Sequence, residues 1–220
     1  MEVTGAVAVP AAHAAAGTAT TTKLEDDFNG DGYSDLAVAA PSGTVAGKRY
    51  AGWVAVVYGS PAGLKTSTRQ VFSQNSRGIP GTAETGDRFG GALATGDVDG
   101  DGYADLVVGV GAENTDAGSA AGLVEVVWGG PKGLSGGAVV ARGARHDMLG
   151  REGRLAVADV DGDGADDVVS VRNLKDLRID NGPFARDGST VHGGQMVVDP
   201  YNSIVLNLAA GDLNGDGFAD

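Results

Sequence analysis

No cysteine occurs in the 220 residues, which removes disulfides, thiolate metal sites and thiol nucleophiles together. Basic residues are scarce: 16 Lys and Arg stand against 29 Asp and Glu, a net charge of −13. That balance excludes a nucleic-acid partner gripped through its phosphates, which needs clustered Lys and Arg. Aromatics make up 5%, and no apolar run approaches the ~18 residues of a membrane helix. No stretch carries a helical period. What the chain does have is 38 glycines and many short Val/Leu/Ala runs, with 42% of residues hydrophobic. This is enough for a real core, built of short strands and tight turns, so the expected class is all-β.

One acidic phrase recurs through the chain. Its first Asp falls at Asp27, Asp97, Asp159 and Asp212, at offsets of 70, 62 and 53 residues. Spacings of this size mark a repeat architecture. DFNGDGYSDLAVAAP, residues 27–41, matches DVDGDGYADLVVGVG, residues 97–111, at 8 of 15 positions. AGWVAVVYGSPAGL, residues 51–64, matches AGLVEVVWGGPKGL, residues 121–134, at 9 of 14 positions and the same offset. A small-residue strand precedes the loops, as in FGGALATGD (Phe89 to Asp97), RLAVAD (Arg154 to Asp159) and IVLNLAAGD (Ile204 to Asp212). The unit thus predicted is a four-stranded antiparallel sheet of about 60 residues, suited to a propeller blade. In the third copy GGQMVVDP is the candidate late strand, and one strand of that unit is expected to be lost or very short.

Written D-x-[DN]-x-D-G-x-x-D, the phrase puts side-chain oxygens at positions 1, 3, 5 and 9, with Gly at position 6 where a sharp turn calls for positive φ. Carboxylates this close repel one another unless a cation neutralises them. Ca2+ takes 6–8 oxygens in flexible geometry, whereas Mg2+ demands a strict octahedron and zinc prefers His or Cys. A backbone carbonyl at position 7 would complete the set. The loop is not an EF-hand, because position 12 is Val38, Val108 or Ser170 where that loop needs Glu, and LAVAA and LVVGV continue as strands. Fourteen Asp occupy ligand positions of the four loops, about half of the acidic residues, and four Ca2+ would offset eight of the net negative charges.

FGGALATGDVDGDGYADLVVGVGAEN, Phe89 to Asn114, resembles an FG-GAP repeat, the blade unit of the integrin α-chain β-propeller and of secreted bacterial propellers. Phe89-Gly90 stands for FG, and Gly109 to Ala112 or Ala39-Ala40-Pro41 for GAP; the pair is absent before the other loops, Leu149-Gly150 being nearest in the third. The resemblance covers residues 18–220. It implies a β-propeller, usually seven-bladed, with Ca2+ in the hairpins of one face and ligands or partner subunits on the other. The ligands it implies are Asp27, Asn29, Asp31 and Asp35; Asp97, Asp99, Asp101 and Asp105; Asp159, Asp161, Asp163 and Asp167; and Asp212, Asn214, Asp216 and Asp220. Carbonyls of Tyr33, Tyr103, Ala165 and Phe218 would add to them, giving three to four Ca2+ sites. Because 220 residues hold about three blades and closure takes ~4–8, the chain is expected to be a fragment of a larger propeller, or to need another copy to close.

Residues 1–17 include the Ala-rich run AVAVPAAHAAAG, which reads either as the tail of a secretion signal, with cleavage options near Ala12, Ala14 and Ala16, or as a disordered N-terminus. Gly133 to Gly137 satisfies G-x-S-x-G, but Ser135 aligns with Lys65 of the first repeat and opens no helix, so the nucleophile-elbow context is missing. GTVAGK, from Gly43, falls one residue short of a phosphate loop. His146 beside Asp147 is an acid/base pair in principle and a surface loop in the plainer reading. The segment from Val171 to His192 reads as the longest insertion, with Arg172, Lys175, Arg178 and Arg186 on the face opposite the calcium loops, together with 41–50 and 111–120. A solvated loop of mixed charge is the alternative. The resulting expectation is a secreted, calcium-binding, non-catalytic module for protein or glycan adhesion. The alternative is the propeller domain of a secreted hydrolase or lyase with its active site elsewhere, and a purely structural spacer is a third.

Overall fold

The short apolar runs become strands because small and β-branched side chains suit a pleated surface covered on both faces, and Gly-rich turns end each run. The computed structural model describes residues 24, 26–198 and 203–211, and among these there are eleven strands and no helix. Strands β1 (Leu36–Ala40), β2 (Trp53–Val57) and β3 (Gln70–Phe72) form the first sheet. The second contains β4 (Phe89–Gly96), β5 (Asp105–Val110), β6 (Leu123–Val127) and β7 (Ala138–Arg142). The third contains β8 (Leu155–Ala158), β9 (Asp167–Arg172), β10 (Asp176–Asp180) and β11 (Gly194–Val197). Neighbours pair antiparallel in chain order, as in β-propeller blades. In blade one the place of β4 or β8 falls, by the 70-residue offset, at 19–26, mostly outside the described residues.

Blade two is covered on both faces. Leu106, Val108, Val110, Leu123 and Val127 pack with Phe28, Val54, Val56 and Phe72 of blade one. On its other face Val107, Val124 and Val126 pack with Leu155, Val168 and Phe184 of blade three. Each such Val, Leu or Phe contributes about 1.5–3 kcal/mol on burial, which is why β5 and β6 read as continuous apolar runs. The outer faces of the arc are bare by comparison: Leu36, Val38 and Val71 of blade one and Met196 and Val197 of β11 are exposed.

A backbone lock joins successive blades. Phe89 N–H donates to Ala51 O (2.8 Å) and Leu149 N–H to Ala121 O (3.1 Å), so Leu149-Gly150 holds the place of Phe89-Gly90. The following Gly52 and Gly122 adopt φ of +87° and +71°, and a Cβ there would lie 2.2 Å from Phe89 O and 2.3 Å from Leu149 O. The Ala-Gly pair of the repeat is therefore a site of close backbone approach between blades.

The third unit differs from expectation. It loses no strand: β10 occupies residues 176–180, inside the segment read as an insertion, and GQMV forms β11. The charged sequence DLRID conceals the strand, because Arg178 and Asp180 share one face and pair through two 2.7 Å contacts. The segment 171–192 also spans both faces of the blade. Its tip at 173–175 lies with the turns opposite the acidic loops, whereas 181–193 returns to the side of those loops, where Arg186 meets Asp99 and Asp101. Residues 204–211, expected as a strand, form none; Val205 N–H and Leu208 N–H bond singly to Leu174 O and Gly153 O.

Candidate metal centre

Three acidic loops are described; the fourth, Asp212 to Asp220 with Asn214, Asp216 and Phe218, lies outside the described residues, as does the Ala-rich stretch at 1–17. Each loop runs into the second strand of its blade, β1, β5 or β9, and is shaped by its own aspartates. The position-1 carboxylate gathers backbone N–H groups across the turn. Asp27 accepts from Gly30 and Gly32 (both 2.8 Å), Asp97 from Asp101 (3.0 Å) and Gly102 (2.9 Å), and Asp159 from Gly162 (2.7 Å) and Gly164 (2.9 Å). The position-6 glycines Gly32, Gly102 and Gly164 have φ of +83°, +95° and +92°, the conformation expected of that position.

Positions 3 and 5 each spend one oxygen on the turn. Oδ1 of Asn29, Asp99 and Asp161 accepts from the N–H two residues on, at 2.9, 3.2 and 3.2 Å. Oδ1 of Asp31, Asp101 and Asp163 does the same toward Tyr33, Tyr103 and Ala165, at 3.2, 3.0 and 2.9 Å. The aspartates' Oδ2 atoms are left for another partner, and the Asn29 amide donates to that of Asp31 (3.3 Å). Position 9 is the buried anchor: Asp35, Asp105 and Asp167 accept from Phe28, Val98 and Val160 at 2.9, 3.1 and 2.9 Å. Their second oxygens accept from Gly59, Gly129 and Gly182 at 2.7, 2.7 and 2.9 Å. The ninth residue thereby ties the acidic loop to the turn after the blade's third strand.

Oxygens of Asp97, Asp99 and Asp105 lie within 4.8 Å of one another, and so do those of Asp159, Asp161 and Asp163. Two oxygens on one Ca2+, each about 2.3–2.6 Å from it, stand no farther apart than about 5 Å, so both triads fit one ion. Asp101 and Asp167 fall outside the triads, and loop one, with Asn29 at position 3, gathers no such carboxylate triad. The donors are all hard oxygens, suited to Ca2+ or Mg2+ and unsuited to softer metals. Electrostatics agrees. Burial pushes Asp105 up to about 7, against a hydrogen bond from Gly129, and Asp99 and Asp97 push it further. Burial likewise raises Asp99 to about 6, against the pull of Arg186, and raises Asp35 and Asp167. Carboxylates so placed favour a cation that would keep them ionised.

This loop-and-strand unit matches the family model of the FG-GAP repeat over residues 26–57 and 89–123. The chain carries FG-GAP repeats. The third loop, beyond the matched residues, rebuilds the same hydrogen bonds. The chain is 30% identical over 199 residues to the phosphatidylinositol-glycan-specific phospholipase D of Rattus norvegicus, covering 86% of this chain and 22% of that protein. With the Dictyostelium discoideum protein of the same name it shares 28% over 193 residues, 86% of this chain and 19% of that one. Integrin alpha-IIb of Homo sapiens is 39% identical over 84 residues, 38% of this chain and 7% of the integrin. The chain thus spans about a fifth of the length of the phospholipases it matches.

The remaining sequence candidates resolve into structure. Ser135 is exposed in a turn after β6, with its N–H on Trp128 O as Lys65 N–H is on Tyr58 O. His146 is exposed, while Asp147 is buried, accepts from Ala144 N–H (2.6 Å) and pairs with Arg172 (2.5 Å), so the two do not form an acid/base pair. Asp87 takes the same place before Phe89, accepting from Glu84 N–H. Sequence reasoning missed this Asp two residues before Phe89 and Leu149, although its recurrence at an offset of 60 was the signal. It also missed Asn181, whose amide donates to Asp161 Oδ2 and which has no counterpart in the other repeats.

Proposed function

We propose that this chain is an extracellular, calcium-binding FG-GAP propeller module that presents loops to a protein or glycan and is itself non-catalytic. The observation that carries the reading is the threefold recurrence of one oxygen-rich geometry in the FG-GAP loops, in each of which position 1, 3 and 5 side chains shape the turn and position 9 anchors it. Ca2+ would be held by Asp27, Asn29, Asp31 and Asp35, by Asp97, Asp99, Asp101 and Asp105, by Asp159, Asp161, Asp163 and Asp167, and by the equivalent residues from Asp212 to Asp220. Tyr33, Tyr103, Ala165 and Phe218 would offer carbonyls. The ion supplies positive charge where carboxylates converge, coupling its binding to the order of the blade. Affinities of extracellular modules, about 10⁻⁴–10⁻³ M, suit an exported chain, as does the Ala-rich run before residue 18.

The turns opposite the acidic loops, 41–52 and 111–122, form the presenting face. Between blades two and three that face holds a cavity of about 200 Å3 lined by Arg88, Met148, Arg151 and Glu152. A protein or glycan probe is expected to bind in millimolar Ca2+ and to be lost in EDTA. A glycan array and a pull-down that return nothing in Ca2+ would reduce the module to a spacer. Similarity to phosphatidylinositol-glycan-specific phospholipase D favours a second reading, the propeller domain of a hydrolase whose catalytic residues lie elsewhere. Turnover of a phosphatidylinositol-glycan substrate by the full-length product would establish that reading.

A further inference from the structure

The second acidic loop differs from its neighbours in what faces its outward oxygens. Arg186, from the 181–193 segment of blade three, places Nε 2.6 Å from Asp99 Oδ2 and a terminal nitrogen 2.6 Å from Asp101 Oδ2. These are the two oxygens that the turn of loop two leaves over, since Oδ1 of each residue already accepts a backbone N–H. In loop one the corresponding Asp31 Oδ2 has the Asn29 amide at 3.3 Å and Lys65 at 3.5 Å. In loop three Asp161 Oδ2 receives the neutral Asn181 amide, and His192 stands 4.0 Å from Asp163 Oδ2. A bidentate guanidinium across positions 3 and 5 is a feature of loop two among the described loops.

The placement of Arg186 is built into the fold. Two residues earlier, Phe184 is buried in the core between blades two and three and donates its N–H to Val98 O, in the backbone of loop two itself (2.8 Å). The guanidinium lies 5.1 Å from the Trp128 ring, and its terminal nitrogens reach Gly129 O at 3.4 and 3.5 Å. Gly129 is also the residue whose N–H anchors Asp105. Anchor, aromatic platform and carbonyl thus hold a permanent positive charge over the oxygens that a divalent ion would need.

We infer that Arg186 is the resident cation of the second FG-GAP loop and sets its metal affinity: a divalent ion enters that loop only by displacing a side chain supplied by blade three. The inference rests on the calcium reading above. Loop three, the other carboxylate triad, binds Ca2+ without a guanidinium across positions 3 and 5, so loop two is the weaker of these two, and its filling releases Arg186 from blade two.

The test uses the 220-residue chain and Tb3+ as a calcium substitute. Trp128 adjoins loop two through Arg186, whereas Trp53 opens β2 at the other end of its blade, so Trp-sensitised Tb3+ luminescence reports on loop two. Arg186→Gln is expected to tighten the Trp-reported site by about tenfold, the loss of one charge-assisted bidentate contact. Equilibrium dialysis with Ca2+ alone should show the other sites unchanged. Unchanged or weaker affinity at the Trp-reported site, with Ca2+ still bound elsewhere, overturns the inference and leaves the calcium reading intact. No ion bound by either protein overturns both. Should Arg186→Gln not fold, the wild-type chain still decides: Arg186 should resist phenylglyoxal in EDTA and be modified in saturating Ca2+, and equal protection in both conditions overturns the inference.

Discussion

Glu125 lies on β6 at the centre of blade two, completely buried, and neither carboxylate oxygen finds a hydrogen-bond donor. Its cross-strand neighbours are Val108 and Val139. Burial lifts its pKa from the ordinary 4.5 to about 8, with Glu113 adding to the rise and Arg142 opposing it. The folded chain therefore holds a proton that the unfolded chain releases above pH 4.5. Stability from this residue is complete below that pH, falls as pH rises, and levels off above about 8. At 1.36 kcal/mol per decade the loss is about 3 kcal/mol by pH 7 and about 5 kcal/mol by pH 9. Glu125→Leu, which puts an apolar group among apolar neighbours, removes that loss and should melt higher than the parent chain by roughly 10 °C at pH 7. Differential scanning calorimetry of both chains in EDTA from pH 5 to 9 reads the effect as a gap that widens to pH 8 and then stays constant. Glu125→Gln should remove this residue's share of the pH dependence without the apolar gain, leaving the share of Asp99 and Asp105. A gap of the same size at pH 5 and pH 9 would refute the reasoning, because the carboxyl would then not be ionising in a dry site.

Asp105→Asn leaves one of two buried backbone donors, Val98 N–H or Gly129 N–H, without its acceptor, and should cost about 1–3 kcal/mol in urea unfolding. Gly122→Ala sets a methyl 2.3 Å from Leu149 O at positive φ and should cost about 3 kcal/mol or more, whereas Gly32→Ala meets no atom within 4 Å and should cost about 1 kcal/mol. Asp147→Ala uncaps Ala144 N–H and releases Arg172, with an expected loss of about 1–3 kcal/mol. His146→Ala should stay within about 0.5 kcal/mol, and the contrast between the two substitutions checks that this pair is structural.

The acidic phrase was legible because its residues act locally. Asp27, Asp97 and Asp159 fold their own turns through N–H groups at most five residues away, so sequence spacing carries the geometry. The strands β5 and β6 were equally plain, since burial on both faces demands apolar residues without a break. The strand β10 was hidden because three of its five residues are charged, and two of them, Arg178 and Asp180, pair within the strand in a way that reads as loop chemistry. Arg186 was visible as a charge in a long segment, but its side of the blade was misread: counting β10 as loop removes one chain reversal and inverts every later loop. Contacts such as Arg186 with Asp99, 87 residues away in sequence, depend on how blades stack, which no local pattern encodes.

The FG-GAP loops are proposed to hold Ca2+. Calorimetric titration of the chelator-stripped chain with Ca2+, followed by melting in about 10 mM Ca2+ and in EDTA, tests it most directly. At ten times Kd each site adds about 1.4 kcal/mol, so three filled loops should raise Tm by roughly 10 °C, with at least three ions bound per chain. Heat-silent titration, no ion bound by dialysis, and the same Tm in Ca2+ and EDTA would contradict the account.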